Sequence, residues 1–166
     1  MIKDRQEYRI SLEWLERFER AMKALSEDEV KKTNDRTGWQ LQYDGVQAMW
    51  KNVKAEIAEY ETLLEHDRTQ PIFFKFPEID KISKVLIQAR IAFKLSQYEL
   101  AYLCGLTEAS IKSYEENDYQ NASFLDIIAV SDALGIKPKT DGLMAELEEF
   151  YQNRIAEIRS SECLAS

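Results

Sequence analysis

The chain has 166 residues and a formal net charge of −8, and 45% of its residues are hydrophobic. This length allows one domain or two small ones, and the apolar content is enough for a buried core. No apolar run reaches the roughly eighteen residues of a membrane span, and the opening MIKDRQEYR lacks the apolar core of a signal peptide. We therefore expect neither export nor membrane insertion, which places the protein in the cytoplasm.

Residues that carry metal or nucleophilic chemistry are scarce. Cys104 and Cys163 lie far apart, and His66 is the sole histidine, so no metal-ligand spacing occurs. The sequence also lacks a glycine-rich phosphate loop and any spaced Cys/His or Ser/His pair. We expect no metal, no cofactor and no enzymatic activity.

The first part of the chain predicts a helical hairpin. Apolar residues at steps of three and four predict a helix over residues 11–32, capped by Ser11, and a second helix over residues 41–65. A polar cluster that ends in Gly38 separates them. Two long helices with matched apolar stripes and a short connection fold back antiparallel, so residues 1–70 are predicted to form a hairpin for oligomerisation or partner binding.

A short apolar segment follows the hairpin. Residues 71–77 are predicted to be a linker, and the run 72–76 contains three phenylalanines. This run is predicted to be a short strand or an extended strap, and its aromatic rings are expected to be buried against the hairpin, the following domain or a second subunit. His66, at the end of the second helix, is expected to be a solvent-facing cap.

Residues 95–115 predict two short helices joined by a sharp turn. Ser96 is a good N-cap for the first helix, with Glu99 placed to complete a capping box, and Thr107 can cap the second. Between them, Gly105 suits the left-handed turn that ends a helix. This combination predicts a helix-turn-helix.

Further helices are predicted on both sides of this pair. One covers residues 78–93, and another begins after Ser123 and ends at Gly135. The final segment, residues 141–166, begins with an amphipathic helix over residues 141–160.

Residues from about Ile82 to Ile136 resemble the lambda-repressor-like, or XRE-type, helix-turn-helix family. The matching residues are Arg90, Leu95-Ser96-Gln97, Glu99-Leu100-Ala101, Gly105-Leu106-Thr107, Ile111, Tyr114-Glu115 and Asp132-Ala133-Leu134-Gly135-Ile136. The segments RQEYRIS and YEENDYQNAS resemble a bacterial subgroup with an N-terminal helical extension, some members of which are antitoxin-like. Together with the periodicity, the resemblance implies an all-α fold: an N-terminal antiparallel helical hairpin, a five-helix DNA-binding domain over residues 78–140 and a C-terminal amphipathic helix.

The resemblance also implies a set of site residues. The helix that starts at Thr107 is expected to enter the major groove of double-stranded DNA. Arg90 and Glu115 are expected to form a buried ion pair with a structural role. The expected DNA contacts are Gln97, Thr107, Glu108, Ala109, Ser110, Lys112, Ser113, Tyr119 and Asn121.

Two functions remain open on these observations. One is a homodimeric, sequence-specific repressor, one form of which is an antitoxin-like autoregulator that holds a toxin or another protein through its extension. The other is an acidic helix-turn-helix scaffold that binds a basic protein or mimics DNA. Residues 78–136 favour the second function, because they hold nine Asp or Glu against five Lys or Arg.

Overall fold

The structure is a computed structural model that describes residues 1–75 and 81–164, with side chains placed up to Ser161. This part of the chain forms eight helices and three short strands. The chain divides into two compact units, Met1–Thr62 and Leu63–Ser166. The predicted helical fold class is confirmed, with a small sheet in addition. None of the described helices has both the length and the apolarity that a membrane crossing requires.

The first unit is an antiparallel helical hairpin. It consists of α1 (Arg5–Glu27), the short α2 (Glu29–Asn34) and α3 (Arg36–Glu65). Three hydrogen bonds between α1 and α3 follow the antiparallel order: Tyr8 Oη to Glu61 Oε1 at 2.6 Å, Trp50 Nε1 to Glu19 Oε1 at 3.2 Å, and Trp39 Nε1 to the Leu25 carbonyl at 2.7 Å. No residue of α1 is fully buried.

The first helix differs from its prediction at both ends. It begins at Arg5 rather than Ser11 because Asp4 accepts hydrogen bonds from the backbone N–H groups of Gln6 and Glu7. It ends at Glu27 because Asp28 accepts from the Lys31 N–H and so caps a new helix.

The second unit contains the remaining five helices of the described chain. They are α4 (Ile82–Ala92), α5 (Gln97–Cys104), α6 (Glu108–Glu116), α7 (Phe124–Ala133) and α8 (Glu149–Leu164). α5 packs against α6, α7 and α8. The described part of residues 78–140 holds four helices rather than the expected five, and the predicted start of the first one, at residue 78, lies outside the described residues.

The core of this unit is drawn from α4 to α7. Its fully buried apolar side chains include Leu86, Ile87, Phe93, Leu100, Ile111, Val130 and Leu134. Burying a side chain of this size contributes roughly 1.5–3 kcal/mol relative to leaving it in water. The core therefore holds α5 and α6 in a fixed relation to each other.

A three-stranded antiparallel sheet adjoins these helices. The strands β1 (Ile72–Lys75), β2 (Ile136–Lys139) and β3 (Gly142–Ala145) lie in the order β1-β3-β2. A Cβ on Gly142 would overlap the carbonyl oxygen of Phe74, so this strand pair needs glycine at that position. Pro138 lies in the edge strand β2, where its missing N–H costs least.

The sheet confirms one prediction and corrects another. β1 is the short strand that was one of the two alternatives for the run 72–76 in the expected linker, whereas the expected helix over residues 141–160 begins with β3, so that α8 starts only at Glu149. The reason is the backbone pairing of residues 142–145 with strands on both sides, which satisfies their N–H and C=O groups without a helix.

The phenylalanine run is only partly buried. Phe74 is 8% exposed, whereas Phe73 is 49% exposed, because successive side chains of a strand point to opposite faces. Phe74 is therefore buried as expected, Phe73 is not buried within this chain, and Phe76 lies outside the described residues.

Candidate nucleic-acid interface

The helix-turn-helix pair is built by local hydrogen bonds. Ser96 and Glu99 form the predicted capping box on α5, and Thr107 caps α6 by accepting from the Ser110 N–H at 3.1 Å. Gly105 adopts the left-handed conformation, with φ of 68°, and donates to the carbonyls of Ala101 and Tyr102. The chain therefore reverses between the helices without leaving helix-end groups unsatisfied.

The inner face of α6 is anchored by a buried ion pair. Arg90 Nε donates to Glu115 Oε1 at 2.5 Å, and Arg90 Nη2 donates to Glu115 Oε2 at 2.7 Å. Both side chains are at least 94% buried. Arg90 Nη1 also donates to the Leu95 carbonyl at 2.9 Å. The two expected partners thus lie together, and they tie α4, α6 and the turn before α5 into one network.

Gln97 belongs to the same network. Its side-chain Nε2 donates to Glu115 Oε2 at 2.8 Å, and the residue is only half-buried. An amide nitrogen has two N–H donors, so one remains for a ligand while the other holds Glu115. Gln97 is also the first residue of α5, and the first backbone N–H groups of a helix have no intrahelical partner.

The outer face of α6 is exposed to solvent. Glu108, Ala109 and Lys112 are exposed, while Ser110 and Ser113 are half-buried. Lys112 is the only basic residue of this helix. The face can offer an ammonium group, hydroxyl groups and one methyl group to a duplex, which are the chemistries used for phosphate contact and for thymine recognition.

Short polar contacts hold several of these side chains in place. The Thr107 and Ser110 hydroxyls are 2.8 Å apart, and Asn121 Nδ2 donates to Ser113 Oγ at 2.9 Å. Asn121 itself is exposed. The structure thus brings Thr107, Ser110, Ser113 and Asn121 to one side of the second unit, with their polar atoms already ordered.

Tyr119 is the exception among the expected contacts. The side chain is 4% exposed and its ring is tilted by 42° against that of Tyr114, with ring centroids 5.9 Å apart, so it cannot reach a duplex in this conformation. The cause is the backbone: Asp118 and Tyr119 both have positive φ, of 49° and 60°, which turns the ring into the protein. The prediction that Tyr119 binds DNA is therefore wrong.

The Tyr119 hydroxyl has no hydrogen-bond partner among the described residues. Burial, with the negative charge of Glu115 in addition, raises its pKa well above the ordinary tyrosine value. An unsatisfied buried hydroxyl destabilises the folded state, because it loses its hydrogen bonds to water on folding.

We expect Tyr119→Phe to leave the free energy of unfolding unchanged or to raise it. Tyr114→Phe is the matched control, because its hydroxyl donates to Asp126 Oδ2 at 2.9 Å and its loss should lower stability. Urea unfolding of both variants measures the difference. A larger loss for Tyr119→Phe than for Tyr114→Phe would show that the Tyr119 hydroxyl does have a stabilising partner.

The charge of the candidate surface is unfavourable for a polyanion. Around the single Lys112 lie the exposed carboxylates of Glu108, Glu116 and Asp118. Binding would therefore depend on directed hydrogen bonds rather than on a broad basic surface.

Tyr98 is a further hydroxyl donor that was not predicted from the sequence. It follows Gln97 on α5 and is 42% exposed. Its place in the first turn of that helix was a usable signal.

α8 braces the helix-turn-helix from the side. Arg159 Nε donates to Glu99 Oε1 at 2.5 Å, and Arg159 Nη2 donates to the Lys94 carbonyl at 2.9 Å. Burial alone would raise the pKa of Glu99, but hydrogen bonds from Arg159 and Ser96 outweigh it and leave that pKa below its usual value. The sequence analysis missed this pair because 60 positions separate its members.

Cys104 and His66 are the remaining titratable residues singled out from the sequence. Burial raises the pKa of the Cys104 thiol to about 12, with a smaller contribution from Asp126, so the thiol stays protonated at neutral pH. His66 is half-buried and lies 3.0 Å from the Gln70 carbonyl. Within the described ranges, no three His, Cys, Asp or Glu side chains are placed to hold a metal ion, and Cys163 lies outside the described side chains.

One comparison with known proteins found a match, and it falls in the second unit. A family model described as helix-turn-helix matches residues 86–140, which include α5, the turn at Gly105 and α6. No curated protein and no solved structure matches the chain.

Proposed function

Residues 86–140 belong to the lambda-repressor-like family of helix-turn-helix proteins, and from this premise we propose that the chain is a sequence-specific transcriptional repressor that acts on double-stranded DNA in the cytoplasm. The main support is the placement of α6. Its inner face is anchored through Glu115 and its outer face is open to solvent. A helix held in this way can lie in a major groove without distorting the unit that carries it.

The proposed contacts divide by chemistry. Donors for phosphate oxygens are Lys112, the second N–H of the Gln97 amide, and whichever hydroxyl of the Thr107–Ser110 pair does not donate to the other. Glu108 can accept from a cytosine amino group, and Ala109 can contact a thymine methyl group. Ser113 and Asn121 complete the set from the end of α6 and the following loop. Tyr119 is withdrawn from the set because it is buried.

The acidic surface sets an expectation for the salt dependence. Each neutralised phosphate contributes about 0.9 to the slope of log affinity against log salt concentration. With one lysine on α6 and three carboxylates nearby, few phosphates are neutralised per half-site, so we expect a shallow slope. Specificity then comes from hydrogen bonds to the bases and from the shape of the operator.

The test is selection of a binding site from a pool of random duplexes, followed by gel-shift assays with the selected sequence. We expect Lys112→Ala to weaken binding to the selected duplex by about tenfold or more and to reduce the salt slope by about one for each protomer bound. Lys139→Ala, which removes an exposed lysine from β2, is the control and should leave both unchanged. If no sequence is enriched over random duplex, the repressor proposal fails.

A homodimer is part of the proposal. The first unit exposes large apolar side chains on both long helices, among them Trp14 at 45% and Met49 at 56% exposure. Such residues are commonly covered by a partner, and a second copy would let two α6 helices read half-sites about one helical turn apart. The selected sequence should then be an inverted repeat, and a single unpaired half-site would contradict the dimer.

We propose the antitoxin-like autoregulator as the finer form of this function, with the first unit as the surface that holds a toxin. Its support is the same exposed apolar surface.

The alternative is an acidic interaction module, favoured by Glu108, Glu116 and Asp118 around the candidate interface. Co-purification with a basic protein, combined with failure to enrich any duplex, would select the alternative.

A further inference from the structure

A cavity of about 260 Å³ lies within the second unit, and no residue of α6 is among its described lining residues. Its walls come from the loop before β1, the end of α4, Leu147 and residues 152–159 of α8. The apolar part of the wall consists of Phe93, Leu147, Ile155 and Ala156. Ligand pockets usually span roughly 300–1,000 Å³, so this one fits a small molecule rather than a nucleotide.

The charged residues that line this cavity are two arginines, Arg68 and Arg159, and no carboxylate is among its described lining residues. This lining stands out in a chain with a net charge of −8. Arg159 is already paired with the Glu99 carboxylate, and Arg68 adds one further positive charge, so an anion is favoured. The planar fork of arginine matches a carboxylate in particular. Gln152 and Asn153 add neutral amide groups to the rim.

Arg159 is held in place before any ligand arrives. Its Nε and Nη2 atoms already donate to Glu99 and to the Lys94 carbonyl, so the orientation of the guanidinium plane is set. A binding group that is already ordered loses less conformational entropy when a ligand binds. Arg68, which is exposed, lies in the loop before β1 and supplies the second positive charge.

We propose that this cavity binds a small organic monoanion, with its carboxylate between Arg68 and Arg159 and its apolar body against Phe93, Leu147 and Ile155. Because Arg159 also holds Glu99 of the capping box on α5, the bound anion lies one side chain away from the helix-turn-helix. The cavity is thus a candidate effector site. It goes beyond the proposed DNA-binding function, and its binding test does not depend on that function.

Benzoate is the probe, added to the full chain at fixed ionic strength while the melting temperature and amide NMR spectra are recorded. We expect a saturable rise in melting temperature and shifts at the amides of Phe93 and Ala156. Acetate, which lacks the apolar body, and benzylamine, which carries the opposite charge, should each bind at least about tenfold more weakly. Equal binding of benzoate and benzylamine would overturn the proposal.

Two variants test the charge of the cavity and its shape separately. Arg68→Ala should weaken benzoate binding by about tenfold or more, which corresponds to at least one charge-assisted contact. Arg154→Ala is the matched control, because Arg154 is an exposed arginine of the same helix as Arg159 that does not line the cavity. Ala156→Leu should block binding by filling the cavity while it leaves both arginines in place.

The proposal fails if Arg68→Ala and Arg154→Ala bind benzoate equally well. It also fails if Ala156→Leu binds like the unmodified chain while its far-UV circular dichroism and melting temperature show that it is folded. If Ala156→Leu does not fold, the comparison of Arg68→Ala with Arg154→Ala decides the result, since both positions are exposed and neither belongs to the core.

Discussion

Replacing Arg90 with alanine is expected to lower the free energy of unfolding by about 3–5 kcal/mol, because it leaves the Glu115 carboxylate buried without its main cationic partner. Gln97 would remain as a neutral donor to Glu115, and one amide hydrogen bond cannot replace two from a guanidinium group. Urea unfolding of the full chain, followed by circular dichroism, measures the loss.

The control variant for this prediction removes a charged side chain that is not buried. Lys112→Ala removes an exposed lysine from the same helix as Glu115 and should change stability by no more than about 0.5 kcal/mol. The double replacement Arg90→Met with Glu115→Leu should recover much of the loss, since an apolar pair of similar volume leaves no buried charge. Equal stability of Arg90→Ala and Lys112→Ala would mean that the ion pair does not hold the unit together.

Gly135→Ala is expected to lower the free energy of unfolding by about 2–5 kcal/mol. The residue has φ of 59°, which costs an alanine about 1–2 kcal/mol. The new Cβ would also overlap the carbonyl oxygen of Glu146, and overpacking against an immobile group adds about 1–3 kcal/mol. The backbone hydrogen bond from Glu146 N–H to the Gly135 carbonyl, at 3.3 Å, keeps the two segments together and limits escape from the clash.

Gly105→Ala separates these two contributions. Gly105 has a similar φ of 68°, but nothing lies within 4 Å of the position that its Cβ would occupy. Its replacement should therefore cost only the conformational part, about 1–2 kcal/mol. Thermal and urea unfolding of both variants measure the difference. If both variants lower the free energy of unfolding by the same amount, the close approach of Gly135 to Glu146 does not exclude an alanine side chain.

The acidity of the helix-turn-helix unit bears on how it would bind DNA. A basic protein gains affinity from counterion release at every phosphate that it neutralises, and α6 offers only Lys112 for this. The features that remain are a rigid α6, ordered hydroxyl groups and the N-terminus of α5. These favour recognition through a few directed contacts, and a modest affinity for unrelated duplexes.

Prediction from the sequence was accurate where hydrogen bonds are local. The capping box of Ser96 and Glu99, the Thr107 cap and the turn at Gly105 each depend on residues within a few positions. The same reasoning was less accurate in the first unit. There, Asp4 and Asp28 cap the helices, and the predicted Ser11 lies inside α1, because several polar residues near a helix end compete for the cap.

By itself, the amino-acid sequence determined the helix-turn-helix and the hairpin. Helical periodicity, N-caps and a turn glycine each depend on residues within one or two helical turns of one another. Only the tertiary structure decided the sheet, the burial of Tyr119 and the cavity beside Arg159. Residues 142–145 become a strand because β1 and β2 offer backbone partners on both sides, and Arg159 meets Glu99 because α8 packs on α5. Such contacts join segments that are distant in the chain, and the local sequence pattern does not predict which segment will supply the partner.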